Sequence, residues 1–351
     1  MELKRFDVAQ GRCIASPEHR FLVVGSGSAG RRHARALRDL YPRSIISVVK
    51  RSSSEQPLES LHERDISVVH SLKDGISSSP TFVVIASPAT MHLADLDQLS
   101  NYCTTFLLEK PIAASASDGQ RVHDLVTAKG LRVTVGHHLR FSDTPLAFMG
   151  CLKKQDRSVP NSISLSYGQH LRHWRPGVSA DQSVTARKDL GGGVLRELSH
   201  EIDAVNFLAG HPAVVQESQL SYDGAPTDGR VETSADVTLS GSGIQSRIHL
   251  DMTTDVPYRH WDAVFPTFTI RADLLAGSVT KILNDGSTEV LYIAEPGERD
   301  RAARSLLTFA ITGEHDSTIG SCDVAQGVHI LNTIEAIEKS AMSGKPVGIA
   351  E

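Results

Sequence analysis

The segment "GGGVLRELSHEID" at residues 191–203 carries three side chains that could exchange a proton with a substrate. Glu197, His200 and Asp203 follow one another at intervals of three residues. Side chains at this spacing are neighbours on a helix, so a helix over residues 195–209 would place the imidazole between two carboxylates. A histidine in that position can act as a general base with a tuned pKa. A solvated polar face is the alternative that the spacing leaves open.

A second reactive group ends the apolar run of "LLEKPIA", where Glu109 and Lys110 precede a proline. Ligands of open parallel sheets bind at the carboxyl edge of the strands. A lysine at the end of such a strand is therefore expected to face a cofactor, with Glu109 beside it. An ordinary surface Glu-Lys pair is the alternative.

The stretch "GSGSAGRRH" fits the pattern G-x-G-x-x-G, follows the apolar run "FLVVG", and opens a helical segment. In that context the glycines permit a tight turn and let a pyrophosphate approach the helix N-terminus. The sequence therefore predicts a dinucleotide site whose contact residues are Gly25, Ser26, Gly27, Ser28, Ala29 and Gly30. The glycines at 191–193 are expected instead to keep backbone bulk away from a substrate.

The end of the second strand indicates the type of cofactor. NAD sites usually offer Asp or Glu about 20 residues after the glycines, whereas this chain has Lys50, Arg51 and Ser52 there and no acid before Glu55. Cations and hydroxyls suit a 2′-phosphate, so NADP(H) is favoured over NAD(H). A solvated strand end is the alternative. Further contacts with the cofactor are expected at the same sheet edge, from Ser87, Pro88, His92 and His138.

Strands and helices alternate through the first part of the chain, which predicts an α/β fold with a doubly wound parallel sheet. We expect an N-terminal extension at 1–20, a dinucleotide-binding domain at 21–138, and a substrate-binding and oligomerisation domain at 139–351. Polar and apolar residues alternate between glycine turns in this last part, which predicts an α+β domain with a large, mostly antiparallel open sheet. A final helix is expected over residues 322–343.

Composition narrows the class of protein. The 351 residues are 40% apolar and carry a net charge of −5, which disfavours a nucleic-acid-binding role. No apolar run approaches the length of a membrane span, and the start of the chain lacks the apolar segment of a signal peptide. Four separated cysteines indicate a reducing compartment without a cysteine-based metal site. A cytoplasmic protein without a bound metal is expected.

Taken in order, "GSGSAGRRH", "VIASPATMH", "EKP", "VGHHLRF" and "GGGVLRELSHEID" resemble the Gfo/Idh/MocA family of NAD(P)-dependent oxidoreductases. The resemblance implies a Rossmann domain and a second domain whose open sheet builds homodimers or homotetramers. It also implies hydride transfer at a ring carbon of a sugar, sugar nucleotide or inositol. Lys110 would bind the reacting hydroxyl, His200 would be the acid/base, and Glu197 would take the place of the usual aspartate. His137 and His138 replace the commoner Tyr-Asn, which leaves their roles open.

The segment at residues 169–190 resembles the substrate loop of family members from sugar-nucleotide and nonulosonate pathways. Trp174 is expected to stack on a sugar or nicotinamide, and Arg175 and Arg187 to hold an anionic group, with Arg172 and Lys188 nearby. A solvated basic loop is the alternative. Two other functions stay open: a non-catalytic NADP(H) sensor, and a redox-neutral enzyme that recycles its cofactor.

Overall fold

A computed structural model describes residues 19–51, 59–155, 159–174, 184–222, 231–241, 243–314 and 319–350 of the chain. Two residues that the sequence assigns to the site, Ser52 and Arg175, lie outside these ranges, as do residues 1–18 of the expected extension.

The first sheet is parallel and has six strands within the described ranges, in the order β3-β2-β1-β4-β5-β6. Its strands are short and apolar, and β1, β2 and β4 are buried along nearly their whole length. Both faces of the sheet are covered by helices, which requires such strands. The strands are β1 (Arg20–Val24), β2 (Ile45–Val49), β3 (Ser67–Val69), β4 (Phe82–Ile85), β5 (Thr105–Leu108) and β6 (Arg132–Val135).

The helices of this part connect successive strands. The longest of them, α5, begins at a Ser115 cap and ends where Gly130 takes a left-handed conformation. The helices are α1 (Ser28–Leu40), α2 (Glu59–His62), α3 (Leu72–Ile76), α4 (His92–Leu99) and α5 (Ala116–Lys129).

The second sheet has nine strands within the described ranges, in the order β14-β13-β12-β11-β7-β10-β9-β8-β15. All neighbouring pairs are antiparallel except β10 with β7. The strands are β7 (Ser162–Gly168), β8 (Val214–Ser221), β9 (Ser234–Gly241), β10 (Ile244–Asp251), β11 (Tyr258–Val264), β12 (Phe268–Asp273), β13 (Ser278–Leu283), β14 (Thr288–Ile293) and β15 (Val347–Gly348).

Helices cover one face of this sheet, and Trp261 of β11 lies fully buried beneath them. Helix α9 crosses instead to the first sheet, where Leu306 and Leu307 join a core cluster with Phe21. The helices are α6 (Asp143–Lys153), α7 (Val194–Glu197), α8 (Ser199–Ala209), α9 (Glu298–Thr312) and α10 (Val324–Ser343).

The predicted fold class is confirmed, and the last helix begins two residues after its expected start. The predicted continuous helix over residues 195–209 is wrong, because the backbone leaves the helical conformation at Leu198. Strand β11 and helices α6 and α9 were not predicted. The domain division at residue 138 stays a prediction. Within the described ranges, no helix is both long and apolar enough to cross a membrane.

Candidate active site

The turn between β1 and α1 has the shape that a pyrophosphate requires. Gly25 has φ +110°, and a Cβ atom there would lie 2.4 Å from the carbonyl oxygen of Ala86. A Cβ on Gly30 would lie 1.9 Å from the carbonyl oxygen of Gly25, so the helix packs directly on the turn. The space beside Gly27 is open, and the α1 N-terminus follows it. The backbone N–H groups of Ser28 and Ala29 begin that helix, so these residues fit a dinucleotide.

The end of β2 presents Lys50 and Arg51 beside this turn. Both Nη atoms of Arg51 donate to the carboxylate of Asp95 at 2.7 Å. Asp95 is buried and also accepts from Ser87 Oγ at 2.6 Å. The predicted contact residues Arg51 and Ser87 therefore belong to one chain of hydrogen bonds, and Asp95, which the sequence reading missed, lies at its centre.

His92 was expected to line the cofactor pocket next to Pro88. Its ring is buried, and its nitrogens lie 2.8 Å from the carbonyl oxygen of Ser87 and 3.3 Å from that of Ile112. Burial lowers its pKa, although these two carbonyl contacts favour the charged form. The neutral ring thus connects the end of β4 with the loop after β5. Its contact with a cofactor stays a prediction.

Glu109 follows β5 and forms a buried pair with His33 of α1, whose Nε2 lies 2.5 Å from Oε1. Arg32 Nη2 is 3.9 Å from the same oxygen, and the backbone N–H of Lys110 donates to Oε2 at 3.2 Å. Burial works against the ionised form, but the hydrogen bond and charge of His33 hold the pKa of Glu109 below its ordinary value. The carboxylate therefore stays ionised and connects α1 to the lysine.

Lys110 reaches across to the second part of the chain. Its Nζ donates to the backbone carbonyl of Glu197 at 2.6 Å, and Glu197 Oε2 lies 3.7 Å from the same nitrogen. The other carboxylate oxygen of Glu197 accepts from Thr185 Oγ1 at 2.8 Å. The side chains of Lys110 and Glu197 are 14% and 21% exposed, so both remain accessible to a ligand. The Lys110–Pro111 peptide bond is cis.

The interruption between α7 and α8 explains how the Glu197 carbonyl becomes available. In a continuous helix it would accept the backbone N–H of Glu201. That N–H donates instead to the carbonyl of Leu198 at 3.1 Å. Lys110 takes the place left on the Glu197 carbonyl, so the break in the helix is part of the lysine site.

His200 lies in a cluster of three imidazoles. Its Nδ1 is 3.3 Å from His137 Nδ1, and its ring meets that of His138 edge to face at 4.5 Å. Burial lowers the pKa of His200 well below its ordinary value, and the charges of His138 and Lys110 lower it further. Burial also lowers the pKa of His137 to about 4. His200 is therefore neutral at neutral pH, and its Nε2 is the nitrogen left for a ligand.

The expected carboxylate neighbours of His200 point elsewhere. Asp203 is fully buried and binds Arg140, with Nη2 to Oδ1 at 2.6 Å. Its Oδ2 lies 3.5 Å from His137 Nδ1. The interpretation of a histidine directly flanked by Glu197 and Asp203 is therefore wrong, because Lys110 and Arg140 attract the two carboxylates. Nor is the segment a solvated face, since α8 is buried almost all round.

Donor atoms of His137, Asp203 and Cys322 lie within 4.8 Å of one another. The carboxylate of this group already carries the guanidinium of Arg140, whose positive charge opposes a cation there.

The three glycines before α7 accommodate a protein carboxylate. A Cβ on Gly193, which has φ +112°, would lie 2.3 Å from Glu232 Oε1. That oxygen also accepts from the backbone N–H of Leu195 at 3.2 Å. The start of α7 is therefore occupied by Glu232. The atom that requires a glycine here therefore belongs to Glu232, and the predicted role of the glycines toward a substrate stays a prediction.

The second sheet contributes Arg259 of β11, which binds the buried Glu201 of α8, with Nε to Oε1 at 2.7 Å. Its guanidinium lies over the ring of Tyr167 at 4.4 Å, and Tyr167 stacks on Trp174. The indole N–H of Trp174 donates to the carbonyl of Gln169 at 3.1 Å. Trp174 thus packs on a protein ring, and its role toward a substrate stays a prediction.

The basic residues of the predicted substrate loop do not converge in the described ranges. Arg172 pairs with Asp255 at 2.5 Å on the surface. Both Arg187 and Lys188 are exposed. Lys188 is the first residue of a 3-10 turn, Lys188–Leu190, and Arg187 immediately precedes it.

Several residues of the site were missed from sequence: His33, Asp95, Arg140, Thr185, Glu232 and Arg259. Most are polar groups whose partners lie tens of residues away in the chain. Two of these residues could have been found from their position in a motif, because His33 is the last residue of "GSGSAGRRH" and Arg140 lies within "VGHHLRF".

Comparison with known proteins agrees with this geometry. The family described as "Oxidoreductase family, NAD-binding Rossmann fold" (GFO_IDH_MocA) matches residues 19–137. The scyllo-inositol 2-dehydrogenase (NADP(+)) IolW of Bacillus subtilis (strain 168) is 25% identical over 202 residues, which are 57% of this chain and 54% of that protein. The chain thus aligns with about half the length of this curated relative.

Solved structures match the fold over nearly the whole chain. Levoglucosan dehydrogenase in complex with NADH has a TM-score of 0.80 at 15% identity, covering 95% of this chain and 99% of the other. The WlbA dehydrogenase from Bordetella pertussis, in complex with NADH and UDP-GlcNAcA, has a TM-score of 0.74 at 18% identity, covering 95% and 98%. Residues 19–137, which include the turn at Gly25–Gly30, are thus similar to the oxidoreductase family GFO_IDH_MocA with its NAD-binding Rossmann fold, and the two-sheet fold is shared with these solved structures.

Proposed function

We propose that the protein is a dehydrogenase or reductase that uses NADP(H) and acts on a ring carbinol or keto carbon of a sugar-like substrate. The observation that carries the proposal is the meeting of Lys110 and the α7–α8 segment at the edge of the parallel sheet, where Lys110 Nζ binds the Glu197 carbonyl at 2.6 Å. His200 follows in the same segment. The proximity of the Lys110 ammonium to the neutral imidazole of His200 supports the acid–base assignment.

The bound nicotinamide would accept a hydride from the substrate carbon, or donate one to it. In oxidation, the hydroxyl proton passes to Nε2 of His200, which is the free base when the proton shared with His137 lies on Nδ1 of His200. The Lys110 ammonium donates a hydrogen bond to the same oxygen and stabilises its developing negative charge. In reduction, the imidazolium of His200 returns the proton to that oxygen. Glu197 and Thr185 hold the lysine in place.

The preference for NADP(H) rests on Lys50 and Arg51 at the end of β2, beside the adenosine side of the turn. Arg51 uses both Nη atoms to bind Asp95, and its side chain is 29% exposed. The guanidinium is therefore held in one position. Its Nη1 keeps a second N–H for a 2′-phosphate, whereas Nη2 also donates to Met91 Sδ at 3.9 Å. The side chain of Asp95 is only 3% exposed and already accepts from Arg51 and Ser87.

The acid–base assignment is tested with His200→Asn and Lys110→Ala. General acid–base catalysis contributes typically about 10²–10⁴-fold, so kcat should fall by that order in each variant. The dissociation constant of NADPH should stay within about twofold, because neither side chain belongs to the glycine turn. His62→Asn, at the exposed end of α2, is the matched control. Unchanged turnover in His200→Asn would remove that residue from the chemistry.

The same assay separates the other candidate functions. A panel of sugars, inositols and nucleotide sugars is incubated with NADP⁺ to detect oxidation. The corresponding keto sugars are incubated with NADPH to detect reduction. Net change in NADPH absorbance supports a dehydrogenase. Tight NADPH binding with no turnover of any panel member favours a sensor, and product formation without net change in NADPH favours redox-neutral chemistry.

We further propose that the open face of the nine-stranded sheet joins copies of the chain into a dimer or tetramer. Along β7, Ser162, Ser164 and Ser166 alternate with buried residues and face away from the helices. Side chains of the neighbouring strands form ion pairs on that side, such as Arg271 with Asp262 at 2.7 Å. Small hydroxyls and in-plane pairs leave a flat surface on which a second sheet can pack. Light scattering that gives a monomer at micromolar concentration would contradict this.

A further inference from the structure

A groove runs between α1 and α9 and encloses about 320 Å³. It extends from Ser28, at the N-terminus of α1, to Asp39 near its C-terminus, a length of roughly 16 Å at 1.5 Å per residue. Five arginines and two aspartates line it, which leaves a local charge of +3 in a chain whose net charge is −5. We call it the arginine groove, and its cations are Arg32, Arg35, Arg64, Arg299 and Arg304.

Most of these cations lack a carboxylate partner. Arg64 pairs with Asp39 at 2.7 Å. In the part of the chain that the structure describes, no carboxylate oxygen lies within 4.0 Å of a side-chain nitrogen of Arg35, Arg299 or Arg304. Burial lowers the pKa of Arg299, and the charges of Arg32 and Arg259 lower it further, although Asp300 acts in the opposite direction. The groove is therefore set up to attract an anion.

One wall residue of the groove, Arg32, lies close to the candidate active site. Arg32 Nη2 lies 3.9 Å from Glu109 Oε1, and Glu109 Oε2 accepts from the backbone N–H of Lys110 at 3.2 Å. Arg32 and Lys110 thus flank one carboxylate. Burial lowers the pKa of His138, and the charges of Arg32, Arg259 and Arg299 lower it further, although its ring packs against His200 in the active site. The positive field of the groove therefore reaches the residues proposed to move the proton.

We propose that the arginine groove binds a phosphate group carried by the substrate, while the reacting carbon lies at Lys110 and His200. The inference rests on the proposed function and adds the class of substrate: a phosphorylated or diphosphate-linked sugar. Arginine holds phosphate oxygens with paired N–H donors, and several unpaired guanidinium groups suit a group with more than one negative charge. A neutral sugar or inositol would leave the groove empty.

The length of the groove exceeds a sugar ring, so it can hold a diphosphate with a further group attached. The pyrophosphate of the cofactor is the other anion in the neighbourhood, and it is expected at the Gly27–Ser28 end of α1. Arg299 and Arg304 line the groove from α9, whereas that turn and Ser28 belong to the start of α1. They are therefore the residues that distinguish a substrate phosphate from the cofactor.

The first test needs no substrate. Inorganic phosphate and inorganic pyrophosphate are titrated calorimetrically into the full-length protein saturated with NADPH, so that the cofactor site is filled. We expect pyrophosphate to bind more tightly than phosphate, and Arg299→Ala/Arg304→Ala to weaken pyrophosphate binding by roughly 10- to 100-fold, as loss of charged hydrogen bonds implies. Arg299→Lys/Arg304→Lys should restore part of the binding, and Arg121→Ala, on the outer face of α5, should change nothing.

The outcomes are separable. Equal pyrophosphate binding by the wild type and the alanine double variant would overturn the proposal, and so would a parallel loss of NADPH affinity, which would assign the arginines to the cofactor. The second test compares kcat/KM for neutral sugars, sugar phosphates and nucleoside-diphosphate sugars. A preference for phosphorylated members that the double variant loses supports the proposal. A neutral sugar as best substrate, with kcat/KM unchanged in the double variant, contradicts it while leaving the proposed dehydrogenase intact.

Discussion

Side chains of the candidate active site are oriented by hydrogen bonds to neighbouring groups, and burial among those neighbours also influences which of them are charged. The ammonium of Lys110 donates to the Glu197 carbonyl at 2.6 Å and lies 3.7 Å from the carboxylate of the same residue, so both contacts orient it. His200 is surrounded by other imidazoles, so burial and neighbouring charges keep it neutral. One group is thus ready to donate a hydrogen bond and the other to accept a proton, which is the combination that oxidation of a carbinol requires.

The cofactor preference makes a prediction at this scale. Arg51→Ala should weaken NADPH binding by roughly 10- to 100-fold, because charged hydrogen bonds to the 2′-phosphate are lost. NADH binding should change little. Dissociation constants from the quenching of protein fluorescence measure both cofactors. Arg51→Lys keeps the charge but not the two-point contact with Asp95, and should give an intermediate value. Equal weakening of NADPH and NADH would remove Arg51 from the 2′-phosphate site.

At the scale of elements, local sequence signals predicted what short-range patterns control. The strand β1, the turn and the helix α1 follow one another within "FLVVGSGSAGRRH", so their order could be recognised from adjacent residues. Helix α10 was likewise marked by its apolar period and by Gly344, which ends it in a left-handed conformation.

Elements and contacts that depend on distant partners escaped prediction. Strand β11 alternates Trp261 and Ala263 with polar residues, and its pairing with β7 and β12 decides its structure. The Glu197 carbonyl beside the break at Leu198 accepts from Lys110, which lies 87 residues earlier in the chain. The Arg140–Asp203 pair joins residues 63 apart. No local period records such contacts, which is why the acid–base segment was assigned as one continuous helix.

Gly193 gives a prediction about how the elements of the site are assembled. Gly193→Ala should lower the free energy of unfolding by about 1–3 kcal/mol, because φ +112° and ψ 156° form a conformation nearly restricted to glycine. It should also lower kcat, since the new Cβ would meet Glu232 and shift α7, which carries Glu197. Chemical denaturation and steady-state kinetics measure the two effects.

Gly243→Ala is the matched control for this experiment. Gly243 has φ +80°, and a Cβ there would meet no atom within 4 Å. This variant should lose some stability and keep its kcat. If Gly193→Ala kept full turnover as well, the contact between Gly193 and Glu232 would not position the catalytic segment.

For the whole molecule, the site lies where the two sheets are joined by buried polar groups. Arg140 binds Asp203 of α8 and also donates to the carbonyl of Ser321, before α10. Helix α9 extends from the second sheet onto the first and supplies one wall of the arginine groove. The residues proposed for catalysis therefore depend on the same contacts that hold the two parts of the chain together.

This arrangement predicts a stability that decreases in mild acid. Burial lowers the pKa of His137 to about 4 and those of His138 and His200 well below the ordinary value of 6.5. Below pH 6.5 the unfolded chain binds protons that the folded chain does not, so stability is present above that pH and is lost as the pH falls. Each group contributes up to about 1.4 kcal/mol per pH unit, and the three together about 4 kcal/mol per pH unit between pH 6 and 5.

Burial raises the pKa of Glu201 and Glu232, and these groups oppose the trend because the folded chain takes up their protons first. The measurement is the free energy of unfolding in urea at pH 7, 6, 5.5 and 5, and the slope with pH is compared between variants. His138→Asn should reduce the slope by about 1.4 kcal/mol per pH unit, whatever its effect on stability at pH 7. His62→Asn, on the exposed end of α2, should leave the slope unchanged. A slope that is the same in all three proteins would mean that the pKa of His138 in the folded chain is not lowered from its ordinary value.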